Sequence, residues 1–434
     1  MNLFYLGNFF RNAVFSYGYR FASVLFGLLY FFIVANSLGP EQYGVLAFML
    51  DFLGTATLLL GFNALYEVLN IFVPKQRSKQ VVNFLLLIGS IGAALFSLAI
   101  LFFPEVVLYF TNQGTIELVK AISAVIFFST ISALFVNLFT GTKNFGKILK
   151  MGVIENIVNL FFVSLFLFFL NGGIMEVVYA KTISIFVSTI IGLYYFKKIS
   201  LLDSKADWKP IRKFAFFSIL AGIVKRTSTQ MLLIFIGLFI DPIKMGFYYA
   251  LQKMGTYFID LPLNSLNVVL LPTISEHEND IEKLQKLVSY SIKFYVVSSI
   301  IFSLALLIFS PILLLEFFPK YSQSISLVPL FAAFFVLTFD MPLGTFYRAI
   351  NRNYIILYSN LLQLFITMFF GFFFVKNFGV EGVLILMVLN RIVSLVYQFI
   401  YLWFKNYKIE FWPRPKDIIF FFKTIMQTIF KKSI

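Results

Sequence analysis

Apolar runs long enough to cross a bilayer follow one another through almost the whole chain, separated by short polar connections. A spanning helix needs about 20 predominantly apolar residues. The pattern predicts twelve of them, at 11–37, 42–72, 80–103, 116–140, 147–170, 175–196, 213–240, 243–272, 289–315, 322–347, 354–375 and 380–404. Composition agrees, since 60% of the 434 residues are hydrophobic and only 13% are charged. The expected class is an all-α integral membrane protein with about twelve transmembrane helices. No connection reaches the length of an independent domain, so any chemistry must take place within the membrane.

A formal net charge of +15 would point to nucleic acid if it formed one basic face. Instead the basic residues sort by connection. One alternating set holds Lys75, Arg77 and Lys79; Lys143, Lys147 and Lys150; Lys197, Lys198, Lys205, Lys209, Arg212 and Lys213; Lys283, Lys286 and Lys293; Arg348 and Arg352. With Arg11 and the seven basic residues from Lys405 onward, that set carries 25 of the 35 Lys and Arg, against only Lys120, Lys244, Lys320 and Lys376 in the other. By the positive-inside rule the basic side is cytoplasmic and both termini lie on it. The charge is thus a topology signal for a multi-pass protein of the cell membrane, with membrane lipids and no nucleic acid among its expected partners. Residues 1–12 are polar and run into a span too long for a signal h-region, so export is expected to begin with an uncleaved first helix. Zero Cys excludes disulfides, thiolate metal sites and cysteine nucleophiles.

Three pairs of short segments recur in order. Leu38-Gly39-Pro40-Glu41-Gln42-Tyr43-Gly44 joins spans one and two, and Ile240-Asp241-Pro242-Ile243-Lys244-Met245-Gly246 joins spans seven and eight, 202 residues on. Thr142-Lys143-Asn144-Phe145 and Asn351-Arg352-Asn353-Tyr354 follow spans four and ten at an offset of 209, and Gly173-Ile174 and Gly379-Val380 precede spans six and twelve at 206. Near-constant spacing predicts a duplicated six-helix unit. Because six is even, both copies face the same way, a parallel repeat that places a substrate site between two lobes. The expected organisation is an N-terminal lobe at 1–199, a cytoplasmic linker at 200–211, a C-terminal lobe at 212–405 and a basic amphipathic tail at 406–434.

The first of these turns, following a helix with basic residues, together with Gly246-Phe247-Tyr248-Tyr249-Ala250 and Leu271-Pro272-Thr273-Ile274-Ser275, resembles the polysaccharide-transporter family. These are lipid-linked oligosaccharide flippases of the multidrug and oligosaccharidyl-lipid exporter superfamily, and the resemblance extends through residue 405. It implies two six-helix bundles, a central cavity that opens to either side by turns, and no energy-coupling domain. One departure stands out. Relatives often carry an acidic residue in the middle of helix seven, where this chain has Thr227, Ser228, Thr229 and Gln230, so a coupling role for such a carboxylate does not carry over.

Eleven ionisable residues fall inside the spans: Arg20, Asp51, Glu67, Glu155, Lys181, Lys225, Arg226, Lys253, Asp260, Asp340 and Arg391. Facing lipid, they would together cost roughly 30 kcal/mol, so they must face partners or water. Arg20, Lys225 and Arg226 come from repeat-related helices one and seven and sit toward the basic side. Converging on the lobe interface they form a substrate-binding cationic set that suits a phosphate, Arg as a bidentate fork and Lys as a point charge; snorkelling of Arg20 is the plainer alternative. Asp51 and Lys253, again 202 apart, are repeat equivalents of opposite sign, expected either to pair across the cavity as a gate or to pair locally as structure. Lys181 and Arg391 are read as structural, paired with Glu155 and Asp340. Tyr17, Tyr19, Tyr248, Tyr249 and Tyr257 are candidates for stacking on sugars.

Other features carry less. Gly141-Thr142-Lys143-Asn144-Phe145-Gly146-Lys147 imitates a phosphate-binding loop, but Ile148 lacks the hydroxyl that holds magnesium and a helix stands where a strand is required. His277, the single histidine, lies in a capping-box segment, Ser275 to Glu278, so no metal site and no cofactor are expected. Pro262, Pro311, Pro329 and Pro342 predict static kinks. Residues 416–432 predict an amphipathic helix too short to span, lying on the anionic inner leaflet. The function these readings support is not enzymatic. It is translocation of an oligosaccharide linked to polyprenyl phosphate or diphosphate from the cytoplasmic to the outer leaflet, by alternating access, for cell-surface polysaccharide or glycan export. Glycosyltransferases are the expected functional neighbours. The alternatives are a multidrug or organic-cation antiporter of the same superfamily and a peptidoglycan-precursor flippase.

Overall fold

In this computed structural model, the structure describes residues 3–76, 78–142, 144–199, 201–202, 207–257, 281–350 and 352–417, and of 3–22, 71, 74–76, 213, 217, 221, 283, 345, 348, 349 and 353 the backbone alone. Within them the chain is helical almost throughout, as a backbone in hydrocarbon must be to satisfy its own hydrogen bonds. In order the helices are α1 Leu3–Leu59, α2 Phe62–Gln76, α3 Lys79–Phe102, α4 Pro104–Thr111, α5 Ile116–Gly141, α6 Phe145–Ser164, α7 Ile174–Phe196, α8 Trp208–Phe239, α9 Pro242–Gly255, α10 Ile281–Glu316, α11 Val328–Val336, α12 Met341–Ala349 and α13 Asn353–Phe404.

Among the described residues nine helices are long and apolar enough to cross a membrane. Two of them, Ser23–Leu59 and Tyr354–Phe404, each hold two spans. At 1.5 Å per residue, a straight helix of 51 residues would be about 75 Å long, over twice the hydrocarbon thickness. The chain turns instead at Gly39 (φ 74°) and Gly379 (φ 56°), a left-handed backbone that glycine adopts without steric cost. The eighth span begins with α9, and the rest of its expected length lies outside the described residues. Apart from the eighth, the expected spans recur, with spans one, seven and nine beginning earlier, at Leu3, Trp208 and Ile281, and with span two interrupted between Leu59 and Phe62.

Local chemistry sets the helix ends. Asp241 caps α9 by accepting from the Ile243 amide at 2.9 Å, with Pro242 in the first turn, where a missing N–H costs nothing. Glu176 reaches back from the first turn of α7 to the Gly173 amide at 2.7 Å. Two of the expected proline kinks are corrected on the same ground. Pro329 and Pro342 stand in the first turns of α11 and α12, on either side of a 3-10 turn, Leu337–Asp340, and Pro311 sits within the continuous α10. Pro262, His277 and the expected tail helix lie outside the described residues, the tail helix but for 416 and 417. The phosphate-loop imitation joins helix to helix, α5 to α6.

The two copies of the repeat form two lobes, spans one to six and seven to twelve. A core cluster at the Gly-Pro end of the molecule joins both lobes, drawing on Phe31, Tyr43, Met49, Tyr249, Tyr321 and Phe331. At the basic end, Phe72 of α2 meets Phe214 of α8 edge to face at 5.5 Å, Ser218 donates a hydrogen bond to Glu67, and Asn63 donates to the same carboxylate at 3.2 Å. Span two and span seven are thus zipped along their basic halves.

Residues 405–417 fold back on span nine. The Glu410 amide donates to Ser289 Oγ at 3.0 Å, and buried Lys293 pairs with Glu410 and, at 3.2 Å, with Asp417. The bond from Lys293 holds the Glu410 carboxyl below the usual carboxylate range; the Arg414 amide, ahead of Lys293, does the same for Asp417. A depressed carboxylate stabilises the fold above its ordinary pKa of about 4, and that contribution disappears as pH falls through the lower folded value. Trypsin is therefore expected to cut the strap after exposed Lys408 slowly in the wild type and quickly in Lys293→Ala, which removes both pairs; equal cutting in the two would show that the pairs do not hold it.

Candidate functional site

Two glycines bring the lobes together. Spans two and eight, repeat equivalents, cross at the Gly-Pro end. A Cβ on Gly44 would lie 2.3 Å from the Pro242 carbonyl oxygen, and one on Gly246 would lie 2.0 Å from the Pro40 carbonyl oxygen. Only hydrogen fits at either point, so the helices meet backbone to backbone. Each contact is the repeat image of the other.

Aromatic packing closes the molecule around this crossing. Tyr43 and Phe247 each lie 6.2 Å from Tyr321, ring centre to ring centre, and the Tyr321 hydroxyl donates to the Ala35 carbonyl at 3.1 Å. Asn36 donates to the Phe317 carbonyl at 3.0 Å while Lys320 donates to the Asn36 carbonyl at 2.9 Å. On the far flank Gln113 donates to the Gly237 carbonyl at 3.0 Å. The Gly-Pro end is shut by contacts from both lobes.

Two helical turns deeper stand two residues of opposite charge. Asp51 lies seven residues past Gly44 and Lys253 seven past Gly246, each on the face that crosses above it and about 10 Å further in. Lys253 is exposed although Leu251, Met254 and Gly255 beside it are buried. A Cβ on Gly54 would meet nothing within 4 Å. Asp51 is half-buried and accepts a long hydrogen bond, 3.4 Å, from the Tyr249 hydroxyl of the other lobe. Among the described residues no ion pair joins Asp51 to Lys253, although each lies in the field of the other. Lys253 is exposed, and buried Tyr249 is the group of the other lobe within reach of Asp51.

Span seven supplies the remaining cations. Ile211, Ser218 and Lys225 recur every seven residues, so Lys225 belongs to the face that meets span two. Ile211 is buried, Ser218 is half-buried and Lys225 is exposed, so exposure rises along this face away from the zipped seam. Arg226, half-buried and about 100° further round the helix, lies in the field of Asp51. The two cations thus do not point at one spot. The side chain of Arg20 and all of Asp260 lie outside the described residues.

Lys181 and Arg391 have the partners read from the sequence. Lys181 pairs with Glu155 at 3.2 Å, and Arg391 with Asp340 at 3.1 Å. Of the tyrosine candidates, Tyr248 and Tyr249 are buried in the interlobe core and Tyr257 packs against Gly27 of span one; they are packing groups in this conformation, because the closed end needs their bulk. Tyr17 and Tyr19 lie outside the described side chains. Mid-helix seven holds a neutral cluster: Ser228 hydrogen-bonds Thr367 at 3.0 Å, and Asn390 donates to Thr367 at the same distance. Sequence reading missed Tyr249 as the partner of Asp51 and Ser218 as that of Glu67. It also took Gly44 and Gly246 only as turn residues, although a glycine four residues after a helix-opening proline in both repeats is a signal for close helix approach.

The profile of one family, "Polysaccharide biosynthesis protein", matches residues 9–278, and the chain belongs to that family. Solved structures with similar folds include an inward-facing multidrug resistance MATE family transporter of the MOP superfamily, with a TM-score of 0.71 at 17% identity over 88% of this chain and 93% of that one. A MOP superfamily transporter from Pyrococcus furiosus Vc1 (DSM3638), described by the reverse polarity of its binding pocket, gives 0.69 at 17% identity over 91% and 94%. An outward-facing MATE transporter gives 0.68 at 17% identity, again over 91% and 94%. No curated protein matches significantly. The fold is that of the MOP transporters, and the chain is a multi-pass membrane protein.

Proposed function

We propose that this protein is a flippase that moves an oligosaccharide linked to polyprenyl phosphate or diphosphate from the cytoplasmic to the outer leaflet. The observation that carries the reading is the sign of the hollow. Lys253 and Lys225 are exposed there and Arg226 is half-buried beside them, while Asp51 is shared with Tyr249. Cations that exceed their carboxylates in a wet, membrane-embedded cleft suit a concentrated anion. An organic cation would instead need a carboxylate-dominated site.

The mechanism follows from the crossing. With the Gly-Pro end outward, as the charge of the connections places it, the closed end makes this the cytoplasm-facing state, and the headgroup enters from the basic side. The lobes then rock about the hollow, breaking the Gly44/Gly246 crossing and the contacts of Tyr321 and Lys320, while the lipid tail stays in the bilayer. A headgroup with two negative charges moving outward gains roughly 4–5 kcal/mol per 100 mV of inside-negative potential, so no ATPase is needed.

In reconstituted vesicles, Arg226→Ala and Lys253→Ala are each expected to slow flipping of a polyprenyl-diphosphate sugar at least about tenfold, the loss of one charge-assisted contact, with unchanged size-exclusion profiles. Full activity in both variants would remove the anion reading. Tight binding of cationic dyes with indifference to diphosphate lipids would put the antiporter in its place.

A further inference from the structure

We propose that each lobe carries at its basic end a binding site for one anionic phospholipid of the inner leaflet, built from two cations set among tyrosines between its last two spans. The proposal does not depend on what the protein carries.

In the first lobe the site joins the start of span five to the end of span six. The Lys147 ammonium lies 5.5 Å from the centre of the Phe139 ring and 5.9 Å from that of Tyr195. Tyr195 is 5.5 Å from Tyr194, ring centre to ring centre. The Lys198 ammonium stands 4.0 Å from the Tyr194 ring and donates to its hydroxyl. The second lobe repeats the plan between spans eleven and twelve. Arg352 donates to the Tyr354 hydroxyl at 2.8 Å, which lies 3.1 Å from the hydroxyl of Tyr401. Tyr195 and Tyr401 are 206 residues apart, one of the repeat offsets. A lysine then follows each of them: the Lys198 amide donates to the Tyr195 carbonyl at 3.2 Å, and the Lys405 amide to the Tyr401 carbonyl at 3.1 Å.

The ligand follows from charge, height and the neighbouring surface. Among the described residues none of the four cations forms an ion pair with a carboxylate. Rings and hydroxyls hold them in place but leave most of their N–H donors free, so each cluster keeps two positive charges. All four stand at the ends of spans, the level of the headgroups, on the side that the positive-inside rule faces to the anionic leaflet. From each cluster a stripe of exposed side chains runs one helical turn at a time toward the bilayer centre. It is Tyr194, Ile190 and Phe186 on span six, and their equivalents Ile400, Val396 and Ile392 on span twelve. A phosphate between the cations would lay its acyl chains along that stripe. Two equivalent sites, one per lobe, suit a lipid of the bulk leaflet better than a single transported carrier.

The test counts lipids retained by the full-length protein in native mass spectrometry after transfer to detergent, with phosphatidylglycerol as the probe and phosphatidylcholine as the control. The parent should retain two phosphatidylglycerols and no phosphatidylcholine. Lys147→Gln with Lys198→Gln should weaken one site at least about tenfold, the effect of two charges removed at the headgroup level, and Arg352→Gln with Lys405→Gln should weaken the other; all four changes should leave none. Lys147→Arg with Lys198→Arg should keep the count at two. An unchanged count in both glutamine pairs overturns the proposal, as does equal retention of phosphatidylcholine, which would mean that acyl packing alone holds the lipid. A lost site that arginine does not restore, with a lowered melting temperature, assigns these residues to structure and also overturns it. Excess inorganic phosphate should displace neither lipid; displacement would make these sites for the free anion and overturn the lipid assignment.

Discussion

Gly246→Leu is expected to abolish flipping while leaving the two lobes folded. A Cβ at this position would already lie 2.0 Å from the Pro40 carbonyl oxygen, and that neighbour is backbone that cannot swing away. Within a single rigid core such overpacking costs about 1–3 kcal/mol. Here the strain has an outlet, because the crossing lies between lobes that can separate. The same 1–3 kcal/mol then shifts the conformational equilibrium away from the closed Gly-Pro end by about 5- to 150-fold. Since the chain contains no Cys, single labels can be placed without removing native thiols. Spin labels at Gln42→Cys and Lys244→Cys, both exposed positions beside the crossing, should report a short distance in the parent and a longer, broader one with Gly246→Leu. An unchanged distance with full transport would show that the crossing is not the seal.

The second large effect concerns stability rather than transport. Asp340 is buried in the 3-10 turn that breaks span ten, and it pairs with Arg391 of span twelve at 3.1 Å, with Gln398 near its other oxygen at 3.5 Å. Removing one member of a buried pair leaves the other charge uncompensated, a cost of about 3–5 kcal/mol. Asp340→Ala should therefore lower the melting temperature by about 3–5 °C and reduce the yield of monodisperse protein. Asp340→Leu combined with Arg391→Met should recover most of the loss, because two apolar side chains leave no charge behind. If Asp340→Ala melts with the parent, the pair has no structural weight and Arg391 becomes available for another role.

The contrast between these two sites shows what the sequence could reveal. Span positions, the two-lobe repeat and the Lys181–Glu155 and Arg391–Asp340 pairs were all legible, because hydropathy reports bilayer crossing directly and an intramembrane charge has few partners of opposite sign within reach. The repeat offset of 202 placed Gly44 opposite Gly246 and Asp51 opposite Lys253. What it could not give was which equivalent residues touch: the glycines do, and the charges seven residues deeper form no ion pair among the described residues. Sequence offsets encode equivalence under the repeat axis, whereas contact depends on how far each helix leans from it. Tyr249 was invisible as a partner of Asp51 because the offset matches Asp51 with Lys253, one helical turn further along. The turns within span ten were misread as kinks because Pro329 and Pro342 look identical in sequence whether they interrupt a helix or begin one.

The account stands or falls on the charge of what is carried. Proteoliposomes containing the purified protein, loaded on one leaflet with a fluorescent polyprenyl-diphosphate disaccharide, should lose about half of that leaflet's signal to a membrane-impermeant quencher on the opposite side. The rate should rise with a membrane potential negative on the loaded side and fall with Lys253→Ala. Translocation that ignores the potential and Lys253, or a preference for a cationic amphiphile of the same size, would contradict it.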